Sequence, residues 1–118
     1  MNEQSHQSDP SANRPKSARP PLSEDAVEAV ADWLRVIAEP MRIRLIEILK
    51  TGSSSVQGLA SQLRTSRPNV SKHLAVLHQA GLVQGRKVGN HTLYELVDWS
   101  GCWLIEQVAT GVTPDSRA

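Results

Sequence analysis

The spacing of apolar residues along this chain divides it into segments of different character. Residues 1–21 contain no Leu, Ile, Val or aromatic residue, and hold Pro10, Pro15, Pro20 and Pro21 among Ser, Asn and Gln. So little apolar surface does not offset the entropy of ordering, so the segment is expected to be a disordered arm. From Ser23 onward the apolar positions recur at helical intervals. Val27, Val30, Leu34 and Ile37 form one face of a first helix reaching about Ala38, with Ser23 as its N-cap and Glu24 and Asp25 in its first turn. Pro40 opens a second helix at its first position, and Gly52 ends it. Ile43, Leu45, Ile46, Ile48 and Leu49 make that helix apolar on more than one side, so it is expected to be central, with Arg42 and Arg44 pointing outward.

Ser53, Ser54 and Ser55 form a capping cluster for a short third helix over 56–63, whose inner side is Val56, Leu59, Ala60 and Leu63. Arg64, Thr65 and Ser66 leave room only for a tight turn. A fourth helix follows, capped by Ser66, with Pro68 tolerated in its first turn and Gly81 as terminator. Its buried stripe is Val70, Leu74 and Leu77. The period then shifts from 3.6 to 2: residues 82–88 and 91–97 read as two strands joined by a two-residue Gly89-Asn90 hairpin turn. Asp98 is placed to cap a last helix over about 99–110, and the chain from about Val112 is expected to fray. The pattern thus predicts a mainly α fold of one small domain over 22–111, five helices with a β-hairpin before the last, between an arm over 1–21 and a tail over 112–118.

Charge changes this picture. The formal net charge is only +1, but its distribution is uneven. Residues 22–34 carry Glu24, Asp25, Glu28 and Asp32 and no base; residues 51–94 carry no acid, while Arg64, Arg67, Lys72, Arg86 and Lys87 supply +5. A basic centre between acidic ends is the footprint of a protein that attracts phosphates.

A short helix, a three-residue turn and a second helix with a basic leading end is the helix-turn-helix pattern. Its second helix directs its amino-terminal side chains and positive dipole end at a duplex. Off the apolar stripe lie Arg67, Asn69, Ser71, Lys72 and His73, suited to base or phosphate contacts in the major groove, with Thr65 and Ser66 at phosphates beside the helix start. Arg86, Lys87, Asn90 and His91 place a basic hairpin beside the helix as a wing. The large aromatics lie elsewhere: Trp33, Trp99 and Trp103 sit on the first and last helices and none in the basic middle. A small domain with its tryptophans on its outermost elements is expected to cover them, and a second copy is the simplest cover.

The runs IAEPMRIRLIEIL, RTSRPNVSKHLAVLHQAGLV and GRKVGNHTLYEL, over about residues 22–110 in all, make the chain similar to the ArsR/SmtB group of bacterial winged helix-turn-helix repressors. The Ser-x-Pro-x-Val-Ser-x-His-Leu run from Ser66 is its most diagnostic part; as it stands here, the run reads Ser66-Arg67-Pro68-Asn69-Val70-Ser71-Lys72-His73-Leu74. The resemblance implies a homodimer through the first and last helices, a palindromic double-stranded DNA operator, and repression relieved by an inducer. The expected dimer surface is Val27, Val30, Trp33, Leu34, Trp99, Cys102, Trp103 and Glu106.

Many members of that group sense metals, and here the pattern departs from them. A Cys-Val-Cys pair usually opens the third helix, whereas this chain has Ser55, Val56 and Gln57; the other usual site needs His on the last helix, and no His follows His91. Serine and amide oxygens are poor ligands for soft or borderline metals, so no metal and no cofactor is expected, and the inducer is unidentified. The single cysteine, Cys102, excludes an internal disulfide framework. A thiol-responsive switch through paired Cys102 residues stays open as an alternative, as does a winged-helix module that binds an acidic protein. His73, His78 and His91 stand apart from any Ser, Cys or carboxylate at a catalytic spacing, so no enzyme is expected. No membrane span and no export signal is read, which points to the cytoplasm.

Overall fold

Ser23 accepts the Ala26 amide at 3.2 Å and starts α1, Glu24–Ile37. In the computed structural model, which describes residues 19–112, α1 is followed by α2, Pro40–Leu49, with Pro40 in its first turn and Glu39 rather than a serine as its side-chain cap. The expected arm over 1–21 falls outside the described residues except for Arg19, Pro20 and Pro21, which form no regular element, and the expected tail falls outside them beyond Val112. Ser55 accepts the Gly58 amide at 3.0 Å and starts α3, Val56–Leu63. Ser66 does the same for α4, Arg67–Gln79, taking the Asn69 amide at 3.1 Å.

Two glycines act through positive φ: Gly81, at 79°, turns the chain out of α4, and Gly89, at 61°, forms the hairpin turn. The strands run one residue shorter than the alternation implied. Antiparallel pairing joins Val83 with Leu96 through to Val88 with His91, while Leu82 and Val97 lie just outside the ladder. A third strand was not anticipated. Within the serine cluster, Ser54 and Ser55 (β1) pair with Tyr94 and Leu93 of β3, His91–Leu96, so the sheet order is β1-β3-β2, with β2 spanning Val83–Val88. Two residues carry no periodicity, which hid that strand. Finally α5 runs Ser100–Val112, one residue later than expected, and the Asp98 carboxylate accepts the Ser100 amide at 2.9 Å as a cap.

The core lies where α2, α3, α4 and the start of β2 converge. Leu45, Ile46 and Leu49 meet Leu59, Ala60, Val70, Leu74, Leu77, Leu82 and Val83 there, all essentially without solvent contact. Each fully buried leucine or isoleucine contributes about 1.5–3 kcal/mol, so this cluster holds the two helices of the motif in place. The central position expected for the second helix is observed: α2 packs against α1, α3, α4, α5 and β3.

Candidate nucleic-acid interface

The turn between α3 and α4 is made by Arg64, which caps α3 in the left-handed region at φ 55°, and by Thr65, whose amide reaches back to the Ala60 carbonyl at 3.0 Å. The Arg64 amide likewise reaches the Ser61 carbonyl at 3.3 Å, and these short-range bonds make α4 start in a fixed direction. Its stripe of Val70, Leu74 and Leu77 is fully buried, which turns Arg67, Ser71 and Lys72 to solvent. No acid stands in the first turn of α4, and among the described residues neither Arg67 nor Lys72 has an ion-pair partner. The positive end of the helix and two uncommitted cations therefore coincide. Thr65 and Asn69 are brought together: the Asn69 amide donates to the Thr65 hydroxyl at 3.0 Å, which orients the asparagine and leaves its carbonyl and the threonine proton for other partners.

The hairpin packs against α4 through β2, with Arg86, Lys87, Asn90 and His91 all exposed. The two wing cations differ. Glu95 on β3 lies 3.5 Å from the Arg86 guanidinium and accepts the Gln84 amide at 3.0 Å, whereas Lys87 has no ion-pair partner among the described residues. An acid one residue beyond the acid-free stretch thus reclaims part of the wing charge.

His73 departs from expectation. It is only 8 % exposed, with Nδ1 3.2 Å from the Arg42 guanidinium and 3.9 Å from the Glu39 carboxylate, so its side chain faces α2 and not a duplex. Arg42, expected to point outward, is half-buried beneath it, while Arg44 is exposed. A signal for both was present in the spacing. Arg42 completes the stripe 42-45-46-49 on α2 and His73 the stripe 70-73-74-77 on α4, the only polar members of each, and α2 packs against α4. Burial pushes the Glu39 carboxyl up, but the backbone amides of Arg42 and Met41, with the nearby Arg42 charge, outweigh it and hold it below its ordinary value.

Residues 39–84 match the family described as bacterial regulatory protein, arsR family. The HTH-type transcriptional repressor SmtB of Mycobacterium tuberculosis is 36 % identical over 93 residues, covering 79 % of this chain and 68 % of the relative. This chain belongs to the arsR family. The transcriptional regulator NmtR of the same organism is 33 % identical over 95 residues, covering 80 % of this chain and 77 % of its own. The crystal structure of the transcriptional repressor BigR from Xylella fastidiosa superposes with a TM-score of 0.69 at 27 % identity, over 78 % of this chain and 94 % of that one. The resemblance carried by the recognition-helix run is thereby established, and the chain is a winged helix-turn-helix transcriptional regulator and not an enzyme.

Set within this arsR-family frame, the outer helices present an apolar face. Val27, Val30 and Leu34 on α1 and Val108 and Val112 on α5 are exposed, as are Trp99 and Trp103, at 51 % and 61 %. Between the two helices runs a groove of about 390 Å³ whose walls include Leu34, Ile37, Ile43, Leu104, Ile105 and Val108. Trp33 behaves differently from the other tryptophans and packs, half-buried, against the protomer's own core.

Cys102 corrects the expectation placed on it. It is 4 % exposed within the core of its own protomer and is not on the outer face, so no surface thiol is offered to a second copy. Burial, then the Glu106 charge, pushes the thiol above its ordinary pKa, which lowers the reactive thiolate fraction. Glu106 itself is exposed and pairs with Lys50 at 3.2 Å, and Lys50 also pairs with Glu47 at 2.9 Å. At the position of the family's Cys-Val-Cys pair, the Ser55 hydroxyl is engaged as the α3 cap. Among the described residues, no group of three or more His, Cys, Asp and Glu is placed to hold a metal ion, and no helix is long and apolar enough to cross a membrane.

Proposed function

We propose that this regulator acts as a homodimer in the cytoplasm, binds an inverted-repeat operator and represses transcription until an inducer other than a thiol oxidant releases it. The observation that carries this reading is the leading end of α4. Arg67, Ser71 and Lys72 are exposed there and, among the described residues, uncommitted, opposite a stripe that is wholly buried. In the reading, Arg67 and Asn69 recognise base edges in the major groove, Ser71 and Lys72 serve bases or phosphates, and Thr65 and Ser66 hold phosphate. Lys87, Asn90 and His91, with a part-neutralised Arg86, grip the neighbouring backbone. The exposed face of α1 and α5 supports pairing with a second copy, because apolar surface of this extent on a small domain is normally covered.

A selection from random duplexes tests the proposal. Enrichment of an inverted repeat with half-sites about one helical turn apart is the expected result. A selection that stays flat at low salt contradicts it and favours a module that binds an acidic protein through the same surface.

A further inference from the structure

The Arg42 guanidinium makes three bonds. Its Nε donates to the Val36 carbonyl at 2.6 Å, its Nη2 to the Arg35 carbonyl at 3.2 Å, and its Nη1 meets His73 Nδ1 at 3.2 Å. The first two partners belong to the last turn of α1, where carbonyls lack amides of their own helix and a cation is favoured. The third is the buried side chain in the middle of α4. Because a guanidinium only donates, Nδ1 must accept, and the ring proton sits on Nε2. Glu39 holds the arginine in register by accepting its backbone amide at 3.1 Å. One half-buried side chain of α2 thus joins the end of the outer helix to the recognition helix.

We propose that Arg42, through His73, is a positioning residue for DNA reading: it fixes the angle of α4 relative to α1 and thereby the separation of the two recognition helices in the dimer. The proposal rests on the homodimer and inverted-repeat reading above. A clamp of this kind acts on the distance between half-sites, whereas a residue that only stabilises the fold acts on melting and leaves that distance preference alone.

The test measures affinity for the selected inverted repeat and for versions with one base pair added to or removed from the centre, alongside a single half-site. Arg42→Met keeps the aliphatic stem and removes all three bonds; His73→Leu removes the acceptor while filling an apolar stripe; His73→Asn retains an acceptor near Nδ1. Arg42→Met and His73→Leu are expected to lose about tenfold in affinity for the original spacing, the scale of one hydrogen bond to a charged group. They should also discriminate less between the three spacings and bind the half-site within about twofold of wild type, and His73→Asn should restore the discrimination. Should Arg42→Met fail to fold, His73→Leu decides alone. Unchanged discrimination in a folded variant, whatever its melting temperature, overturns the proposal. Failure of the underlying reading would show separately, in a wild-type protein that is monomeric or indifferent to spacing.

Discussion

The two sides of this small domain are incomplete in opposite ways. On the helix-turn-helix side every apolar position of the α4 stripe is buried within the protomer, and what remains outside is charge without an ion-pair partner among the described residues, at Arg67, Lys72 and Lys87. On the α1 and α5 side the apolar stripe continues past the core into solvent, from buried Ile37 out to Leu34, Val30 and Val27, and from buried Cys102 to exposed Trp99 and Trp103. The first side lacks a polyanion and the second lacks an apolar surface. One fold thus presents a self-sufficient core between two different kinds of unmet interaction, and each kind specifies a partner by its chemistry.

Substitutions separate the core from the two faces. Leu74→Ala empties a fully buried site at the centre of the motif and should cost about 2–5 kcal/mol in denaturant unfolding. Trp103→Ala, on the exposed face, is expected to leave unfolding of the single chain nearly unchanged while weakening self-association by about 2 kcal/mol, read by sedimentation equilibrium. A Trp103→Ala protein that loses stability as severely as Leu74→Ala would erase the distinction between core and face.

How much of this was legible in the sequence follows the strength of the patterns. The fourth helix was read closely because cap, stripe and terminator agree: Ser66 bonds the Asn69 amide, Val70, Leu74 and Leu77 are buried, and Gly81 adopts a positive φ. Asp98 as a cap was read the same way. The two-residue strand at Ser54 and Ser55 was not, because pairing with Tyr94 and Leu93 is a non-local fact that local spacing does not encode. Arg42 and His73 were misplaced for one reason. A charged or basic residue was assigned to solvent by type, although helical spacing put each on a buried stripe, and only the packing of α2 on α4 brings the pair to 3.2 Å. Cys102 was placed on the right helix but on the wrong side of it, since α5 packs its Gly101 and Cys102 inward and its Trp103 outward.

Smaller effects sharpen the basic face. Arg67→Ala should weaken binding to the selected duplex by about 1–3 kcal/mol and relax preference at one base pair, as seen by competition among single-base variants. Lys87→Ala should lower affinity for all sequences alike and flatten the slope of log K against log salt by about 0.9, one phosphate contact's worth. Arg86→Ala should flatten that slope less, because Glu95 already draws on its charge. Equal slopes for the two wing variants would contradict the asymmetry of the hairpin.

The smallest effect concerns pH. The backbone amide of Ser100, and then its side chain, hold the Asp98 carboxyl below its ordinary pKa in the folded chain. A depressed folded-state value means that the cap's contribution is present above the unfolded carboxylate pKa of about 3.9 and is lost as pH falls through the folded value. Asp98→Asn, which keeps an acceptor and removes the charge, should therefore narrow the difference in α5 hydrogen-exchange protection between pH 6 and pH 3.

The central claim, that a basic face reads a duplex while an apolar face joins two copies, meets its most direct trial in sedimentation velocity with a labelled inverted-repeat duplex. Two chains per duplex at low ionic strength, dissociating together as salt rises, is the predicted result. A single chain that sediments alone and leaves every duplex free would contradict the account.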